Sequence, residues 1–526
     1  MKVLLAASEV SPIIKLGGLG DVVGSLPKAL MKKDVNIDVI VPFYPSAEIQ
    51  GLKIYKALEL NVPFDGQIYP VEVHKTQIPN SGVDTYLLRN AHFFNLGGKS
   101  AFLNTVSETE MFMFFNRAVV EFIKSQFNTY DLVHCNDWHT GMITHLLQDE
   151  LAGTRPATLF TIHNIMYQGV GDPSLVDRTG FVPGQHRLID WDLEDGDINM
   201  MLQGITSSDY VNTVSVSYAH EIVTKEFGGG FSDILRGRSG RLSGILNGLD
   251  YSTFPRYYDV HDVGAEKLKH KRDLLKKLGL NSLEGAEKVP LFSFVGRLDP
   301  DQKGLDILHD LIVDFKDLDL GLGPCSGLGL EGGSGSEGGS GSEGGSESGS
   351  KGKKAPEKTK IDEKIAVSEK PKAQFIILGV GDPAWEKKFK KLAEKRPDIS
   401  AQIVFDTDLA REIYVGSDFL LVPSKYEPCG LIQMIAMWYG TLPIVHGVGG
   451  LRDSVEDGIT GFVFDKYNKT ALAKAAGKAV RAYYKKDRLK VMIRNAMQED
   501  FSWGKSADEY KALYERVVKS RTVLGL

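Results

Sequence analysis

Short apolar runs, each the length of a buried strand, recur along this chain and alternate with longer amphipathic stretches. In the first half they fall at 2–7, 37–41, 131–135, 157–162 and 210–214, and the stretch 21–33 has helical spacing. Helical stretches, not tight hairpin signals, separate them. That arrangement predicts parallel strands joined by crossover helices. Aromatic-rich residues 54–103 break the rhythm and predict a more irregular region with some antiparallel strands. The rhythm resumes near residue 244, with strands expected at 290–295, 373–378, 402–405, 418–422 and 443–445 and helices at 305–315 and 385–395. A second doubly wound sheet follows. Asn247-Gly248 is a turn signal inside 242–250, where the join between the two halves is placed. The expected division is 1–243 and 244–500, with a helical segment at 501–526 packing back on the first domain.

One stretch fits neither half. Residues 331–350 are only Gly, Ser and Glu, with Gly-rich and then Lys/Glu-rich flanks. Such a composition cannot bury enough apolar surface to offset its ordering entropy. Residues 321–370 therefore read as a flexible insertion, natural or engineered, with no side chain held firmly enough for catalysis.

Composition narrows the function classes. The 526 residues are 42% hydrophobic and 25% charged, ordinary for a soluble globular protein of two to four domains. A net charge of -6 gives no sign of nucleic-acid binding. Cys135, Cys325 and Cys429 lack metal-ligand spacing and fit a reducing compartment without a disulfide framework. The opening apolar run stops at Glu9 and Pro12, too soon for a signal peptide, and no run approaches the roughly 20 residues needed to cross a membrane. No membrane partner is expected, and a cytoplasmic location is.

The candidate chemistry sits just past the strands. Arg297 and Lys303 share the loop after 290–295, and Glu427 with Pro428 enters a helix after 418–422. Two fixed cations beside the free N–H groups of Gly430, Leu431 and Ile432 could hold a diphosphate and take its charge as it leaves. A neighbouring carboxylate could hold sugar hydroxyls, which points to a glycosyltransferase using a nucleotide-sugar. Lys15-Leu-Gly-Gly-Leu-Gly-Asp21 follows the first strand and is either a close-approach ligand loop or a tight strand–helix turn. It is not a dinucleotide G-x-G-x-x-G fingerprint, which counts against a dehydrogenase. Asp137 could accept from sugar hydroxyls, and Trp138 could offer a flat face to a ring. His163 closes a strand of the same sheet, whereas His134 and His139 read better as structural. Cys429 reads as a small buried residue, and Gly447–Leu451 (GVGGL) as a second close-approach loop that could border the sugar.

Taken together, KLGGLGDV (15–22), HCNDWHTG (134–141), FTIHN (160–164), NGLD (247–250), GRLDPDQKG (296–304), SKYEPCGLIQM (424–434), YGTLPIVHGVGGLRDSV (439–455) and GFVF (461–464) resemble the bacterial glycogen synthase and plant starch synthase family, in family order. The resemblance implies a GT-B α/β fold: two doubly wound Rossmann-like domains facing each other across a deep cleft. It implies a retaining hexosyltransferase that moves glucose from ADP-glucose to the non-reducing end of an α-1,4-glucan, with no metal and no cofactor. By motif, Lys15, Arg297 and Lys303 would neutralise the diphosphate, assisted by Gly18 and the amides of Gly430, Leu431 and Ile432. His163, Asp137 and Asn247 would position the donor sugar, Glu427 would bind glucose hydroxyls and Asp21 would line the cleft. The wider GT-B group often carries a second Glu eight positions after the first; Ile435 stands there, as in the glycogen synthase branch. The insertion is not part of the family pattern. Two other readings remain: a GT-B enzyme using UDP-glucose or another acceptor, and a glucan-binding protein without catalysis, which the intact set of charged residues disfavours.

Overall fold

The computed structural model describes residues 1–47, 50–95, 106–126, 128–181, 184–261, 263–282, 285–315 and 373–524. The expected insertion at 321–370 lies outside them. Two sheets organise the chain. The first has nine strands in the spatial order Leu242–Gly244, Tyr210–Thr213, Ala157–Ile162, Leu132–Asn136, Lys2–Ala6, Asn36–Pro42, Asp84–Arg89, Gln67–Gln77 and Tyr55–Phe64. All neighbours from Leu242–Gly244 to Asp84–Arg89 pair in parallel, and the last two join antiparallel. The second sheet has six parallel strands in the order Ile399–Gln402, Gln374–Leu378, Leu291–Val295, Phe419–Val422, Leu442–His446 and Phe462–Phe464.

The central parallel strands are apolar on both faces because helices cover both. Val3, Leu4, Leu5 and Ala6 are fully buried, as are Leu420, Ile444 and Val445 in the second sheet. Each sheet has a point among its parallel strands where the strand order reverses. In the first it lies between Lys2–Ala6 and Leu132–Asn136, and in the second between Leu291–Val295 and Phe419–Val422. Open α/β sheets bind ligands at the carboxyl ends of the strands flanking such a point. The loops carrying Gly18, Asp137, Arg297, Lys303 and Glu427 all follow these four strands.

Helix Trp503–Leu524 buries Trp503, Ala507, Tyr510 and Tyr514 in the core of the first sheet. The two halves also meet directly. Val214, Leu249, Cys429 and Met434 form a small shared apolar cluster. Ser215 Oγ donates to the Pro428 carbonyl (2.6 Å), and the Gly449 N–H donates to Glu221 Oε1 (2.8 Å).

Two expected elements move. The strand placed at 402–405 runs instead over Ile399–Gln402, because Phe375 to Leu378 pair with that register and leave Phe405 82% exposed. The helix placed at 21–33 begins earlier, at Gly18, and ends at Met31. The glycine run is thus its first turn. A Cβ on Gly20 would lie 2.9 Å from the Glu9 carboxylate, and one on Gly24 would lie 2.3 Å from the Ser11 carbonyl oxygen.

Candidate active site

A cleft of about 770 Å³ lies between the two sheets, and both reversal points open into it. Its first-domain wall includes Glu9, Gly17, Gly18, Asp137, His139 and His163, and Asn247 lines it from the join between the halves. Its second-domain wall includes Arg297, Gln302, Lys303, Glu427, Gly430 and Leu431.

The second-domain wall depends on two segments distant in sequence. The Lys425 N–H donates to the Gln302 carbonyl (2.8 Å), stitching the loop after Leu291–Val295 to the one after Phe419–Val422. Gly304 sits at φ 65, and a Cβ there would lie 2.0 Å from the Pro423 carbonyl oxygen, so this approach requires glycine. The stitching places Lys303 Nζ 2.6 Å from Glu427 Oε2, with the Ser424 hydroxyl donating to the same oxygen at 2.9 Å. Both charged side chains are mostly buried, at 15% and 9% exposure. Arg297 is more open, at 60%. It donates to Gln302 Oε1 (3.2 Å) and reaches across the cleft to Tyr167 Oη (3.4 Å).

On the opposite wall Asp137 holds an unusual backbone, φ 62 and ψ 176. Its N–H donates to the Thr161 carbonyl (2.8 Å), and its own carbonyl accepts from the Thr140 N–H (3.0 Å), so neighbours pin the strained conformation. Burial pushes the Asp137 carboxyl up to about 7, against the partial opposition of backbone N–H groups of His163, Asn164 and Trp138. Its Oδ1 is buried without a hydrogen-bond partner among the described residues, and so is Asn247 Oδ1. Both atoms belong to residues that line the cleft.

His163 is neutral, its pKa pushed down to about 3 by burial. Asn136 fixes its tautomer. Asn136 Nδ2 donates to the carbonyls of Ala6 and His134, both at 3.2 Å, so its Oδ1 faces His163 Nε2 at 3.0 Å. Nε2 therefore carries the proton and Nδ1 keeps its lone pair, able to accept from a hydroxyl. The chemistry available is that of a polyhydroxylated, anionic ligand: cations on one side, hydrogen-bonding groups on the other.

The comparisons with known proteins agree on one assignment. Residues 2–237 match the starch synthase catalytic domain, and residues 358–499 match the glycosyl transferases group 1. A glycogen synthase of Fervidobacterium nodosum is 35% identical, covering 98% of this chain and 99% of that relative. One from Thermotoga maritima is also 35% identical, with the same coverage. The chain belongs to the glycogen synthase family. Among solved structures, the catalytic domain of starch synthase IV from Arabidopsis thaliana, bound to ADP and acarbose, superposes with a TM-score of 0.77 at 27% identity, covering 98% of this chain and 99% of that one. A sucrose-phosphate synthase of Thermosynechococcus elongatus, at TM-score 0.56 and 16% identity, shares the fold. This glycogen synthase family member is thus a glycosyltransferase of GT-B architecture, and among its described residues no helix is long and apolar enough to cross a membrane.

Not every candidate residue of this family member lies in the cleft. Lys15 and Asp21 pair with each other at 2.7 Å and line a neighbouring cavity of about 550 Å³. With the helix beginning at Gly18, Asp21 falls in its first turn, within reach of Lys15. Ile432 is the first residue of helix Ile432–Trp438 and is not among the cleft-lining residues, unlike Gly430 and Leu431. Trp138 offers no free face: it is 7% exposed, stacks on His139 at 4.0 Å, and a Cβ on Gly169 would sit 2.0 Å from its ring. The GVGGL glycines approach the chain itself and not the cleft. Cβ atoms on Gly449 and Gly450 would lie 2.0 Å and 2.1 Å from the carbonyl oxygens of Glu427 and Cys429. His134 is structural, bonded to Tyr514 Oη (2.8 Å) and Thr161 Oγ1 (2.7 Å). Cys429 is packed in the interdomain cluster, and burial pushes its thiol up to about 12, so it is a poor nucleophile.

Two cleft residues carried no signal in the motifs. Glu9, 4% exposed, accepts from the Leu16 N–H and, at 2.8 Å, from the Gly17 N–H, and so anchors the glycine-rich turn. Burial raises its pKa. Its position three residues past the end of strand Lys2–Ala6 was the available clue. Tyr167, the cross-cleft partner of Arg297, gave none.

Proposed function

We propose that the cleft transfers glucose from ADP-glucose to the non-reducing end of an α-1,4-glucan with retention of configuration. The observation that carries this reading is the pairing of Lys303 with Glu427 beside Arg297, facing His163 and Asp137 across the cleft. Arg297 and Lys303 would hold the diphosphate, with the N–H groups at Gly18, Gly430 and Leu431 assisting. Glu427, Asn247, Asp137 and the Nδ1 of His163 would take the hydroxyls of the glucose. Lys15 and Asp21 would act from the neighbouring cavity, which shares Val22 and Leu431 with the cleft, and Ile432 through its backbone N–H at the start of its helix. The starch synthase IV structure with ADP and acarbose supports both a nucleotide and a glucan partner.

The proposed step breaks the bond from C1 of glucose to the β-phosphate oxygen. On the same face, the 4-hydroxyl oxygen of the acceptor bonds to C1, and its proton passes to the departing phosphate. Charge grows on the diphosphate as the sugar becomes oxocarbenium-like. Fixed cations stabilise that charge more than the ground state, which is where binding energy accelerates a reaction. Two observations favour this front-face route over a covalent glucosyl-enzyme. Glu427 is held by Lys303 and Ser424, and Asp137, raised to about 7, is only partly ionised at neutral pH. Since two side chains supply the cationic charge, the proposal needs no metal and no cofactor.

The test is radiolabelled glucose incorporation into glycogen, from ADP-glucose and UDP-glucose in parallel, with a chelator present. Label from ADP-glucose supports the proposal. Label mainly from UDP-glucose overturns the donor, and label from neither overturns the reaction.

A further inference from the structure

A second cavity of the C-terminal half shares no lining residue with the cleft. It has a volume of about 680 Å³ and lies between helix Val263–Lys277, with the segment leading into it, and helix Lys486–Gln498. Among its described lining residues are five lysine and arginine side chains, Lys267, Lys271, Lys486, Lys490 and Arg494, with His261, against one carboxylate, Asp418.

That carboxylate is already committed. Asp418 Oδ2 lies 2.5 Å from Lys271 Nζ and accepts from the Leu291 N–H at 2.8 Å. Lys267 is 6% exposed and is held only by neutral groups: the Val415 carbonyl (3.1 Å), the Tyr439 carbonyl (3.3 Å), Thr441 Oγ1 (2.9 Å) and Tyr258 Oη (3.4 Å). Lys486, Lys490 and Arg494 are spaced by four residues, so one face of their helix carries all three. Like charges at that spacing repel. Lys486 lies 3.7 Å over the Tyr483 ring, and none of the three forms an ion pair with a described residue. Burial lowers the pKa of Lys486 and brings Lys267 down to about 7; the Asp418 carboxylate opposes both shifts and the charge of Lys271 adds to them. Val263, Leu489 and Ile493 supply apolar wall between the charges.

We infer that this cavity is a second anion site, which takes a small phosphorylated metabolite. A phosphomonoester supplies up to two negative charges and three acceptor oxygens to the Lys486–Lys490–Arg494 face. The volume exceeds what inorganic phosphate alone would fill, and the apolar wall suits an organic body such as a sugar. The inference is independent of the donor proposed for the cleft, because no residue is shared.

The test is calorimetric titration with glucose 1-phosphate, glucose 6-phosphate and inorganic phosphate. It compares the wild-type chain, the cleft variant Arg297→Ala and the double variant Lys490→Glu/Arg494→Glu, whose sites are exposed and whose fold should survive. Saturable binding of a sugar phosphate should persist in Arg297→Ala and weaken by about tenfold or more in the double variant, as expected when two surface charges are reversed. Transfer activity measured without added phosphate ester should stay at the wild-type level in the double variant. Binding lost in Arg297→Ala would place the phosphate in the cleft. Unchanged binding in the double variant, binding of inorganic phosphate alone, or no saturation up to about 10 mM would each overturn the inference.

Discussion

Replacing Asp137 by Asn should stabilise the protein, and more so at alkaline pH. The carboxyl rises from the ordinary 3.8 to about 7 because it is buried. Between those values the folded state binds more protons than the unfolded one, so stability falls as pH rises through the window and levels off above about 7. At about 1.4 kcal/mol per pH unit, the ionised carboxylate costs roughly 4 kcal/mol at pH 8 and about 1.5 kcal/mol at pH 5. Asn has the same shape and no charge. It forfeits the stronger hydrogen bonds that a carboxylate accepts from the His163, Asn164 and Trp138 N–H groups, a loss felt mainly where the carboxylate is ionised. The difference between the two pH values is therefore the informative quantity, with an upper value of about 2.5 kcal/mol. Urea unfolding of both proteins at pH 5 and pH 8 measures it, with the neighbouring Trp138 as fluorescence reporter. A gain equal at both pH values, or larger at pH 5, would show an ordinary acidity for Asp137 and refute the electrostatic reading of this wall. Transfer activity should fall in the same variant, since the stabilised form lacks the group proposed to meet the sugar.

Other perturbations have equally direct readouts. Gly304→Ala forces a Cβ to within 2.0 Å of the Pro423 carbonyl oxygen at φ 65, so it should displace Lys303 and lower both kcat and the thermal midpoint, whereas the control Gly240→Ala, which has open space, should leave both near wild type. Tyr514→Phe leaves buried His134 Nδ1 without its partner and should destabilise by about 1–3 kcal/mol, read by denaturant unfolding, while kcat holds. Exchanging residues 331–350 for a short Gly/Ser stretch should leave specific activity within about threefold, because loop length adds little closure entropy. A large loss there would show that the segment takes part in turnover.

Periodicity located most of the parallel strands because buried strands need continuous apolar runs. The run at 157–162 coincides with Ala157–Ile162 residue for residue. The strand expected at 402–405 forms instead at Ile399–Gln402, because only pairing with Gln374–Leu378 decides which part of this stretch enters the sheet. Charged motif residues at strand ends were legible for a similar reason, since topology brings strand ends to one edge. Glycines were not, because the sequence does not say what a glycine approaches. Those at 17–20 begin a helix over Glu9, and those at 449–450 lie against the backbone of Glu427–Cys429. Trp138 had the right chemistry for a sugar face, yet Gly169 and His139 cover it, a contact between distant segments that no local pattern encodes.

The central claim is that the cation pair acts on the charge that develops as the nucleotide departs. It is tested most directly by measuring kcat for glucose transfer from ADP-glucose in wild type, Arg297→Ala and Lys303→Ala, with circular dichroism confirming that each variant is folded. The account predicts losses in kcat of about a hundredfold or more in both variants, as when one donor to a developing oxyanion is removed. Folded variants that keep near-normal kcat would contradict it.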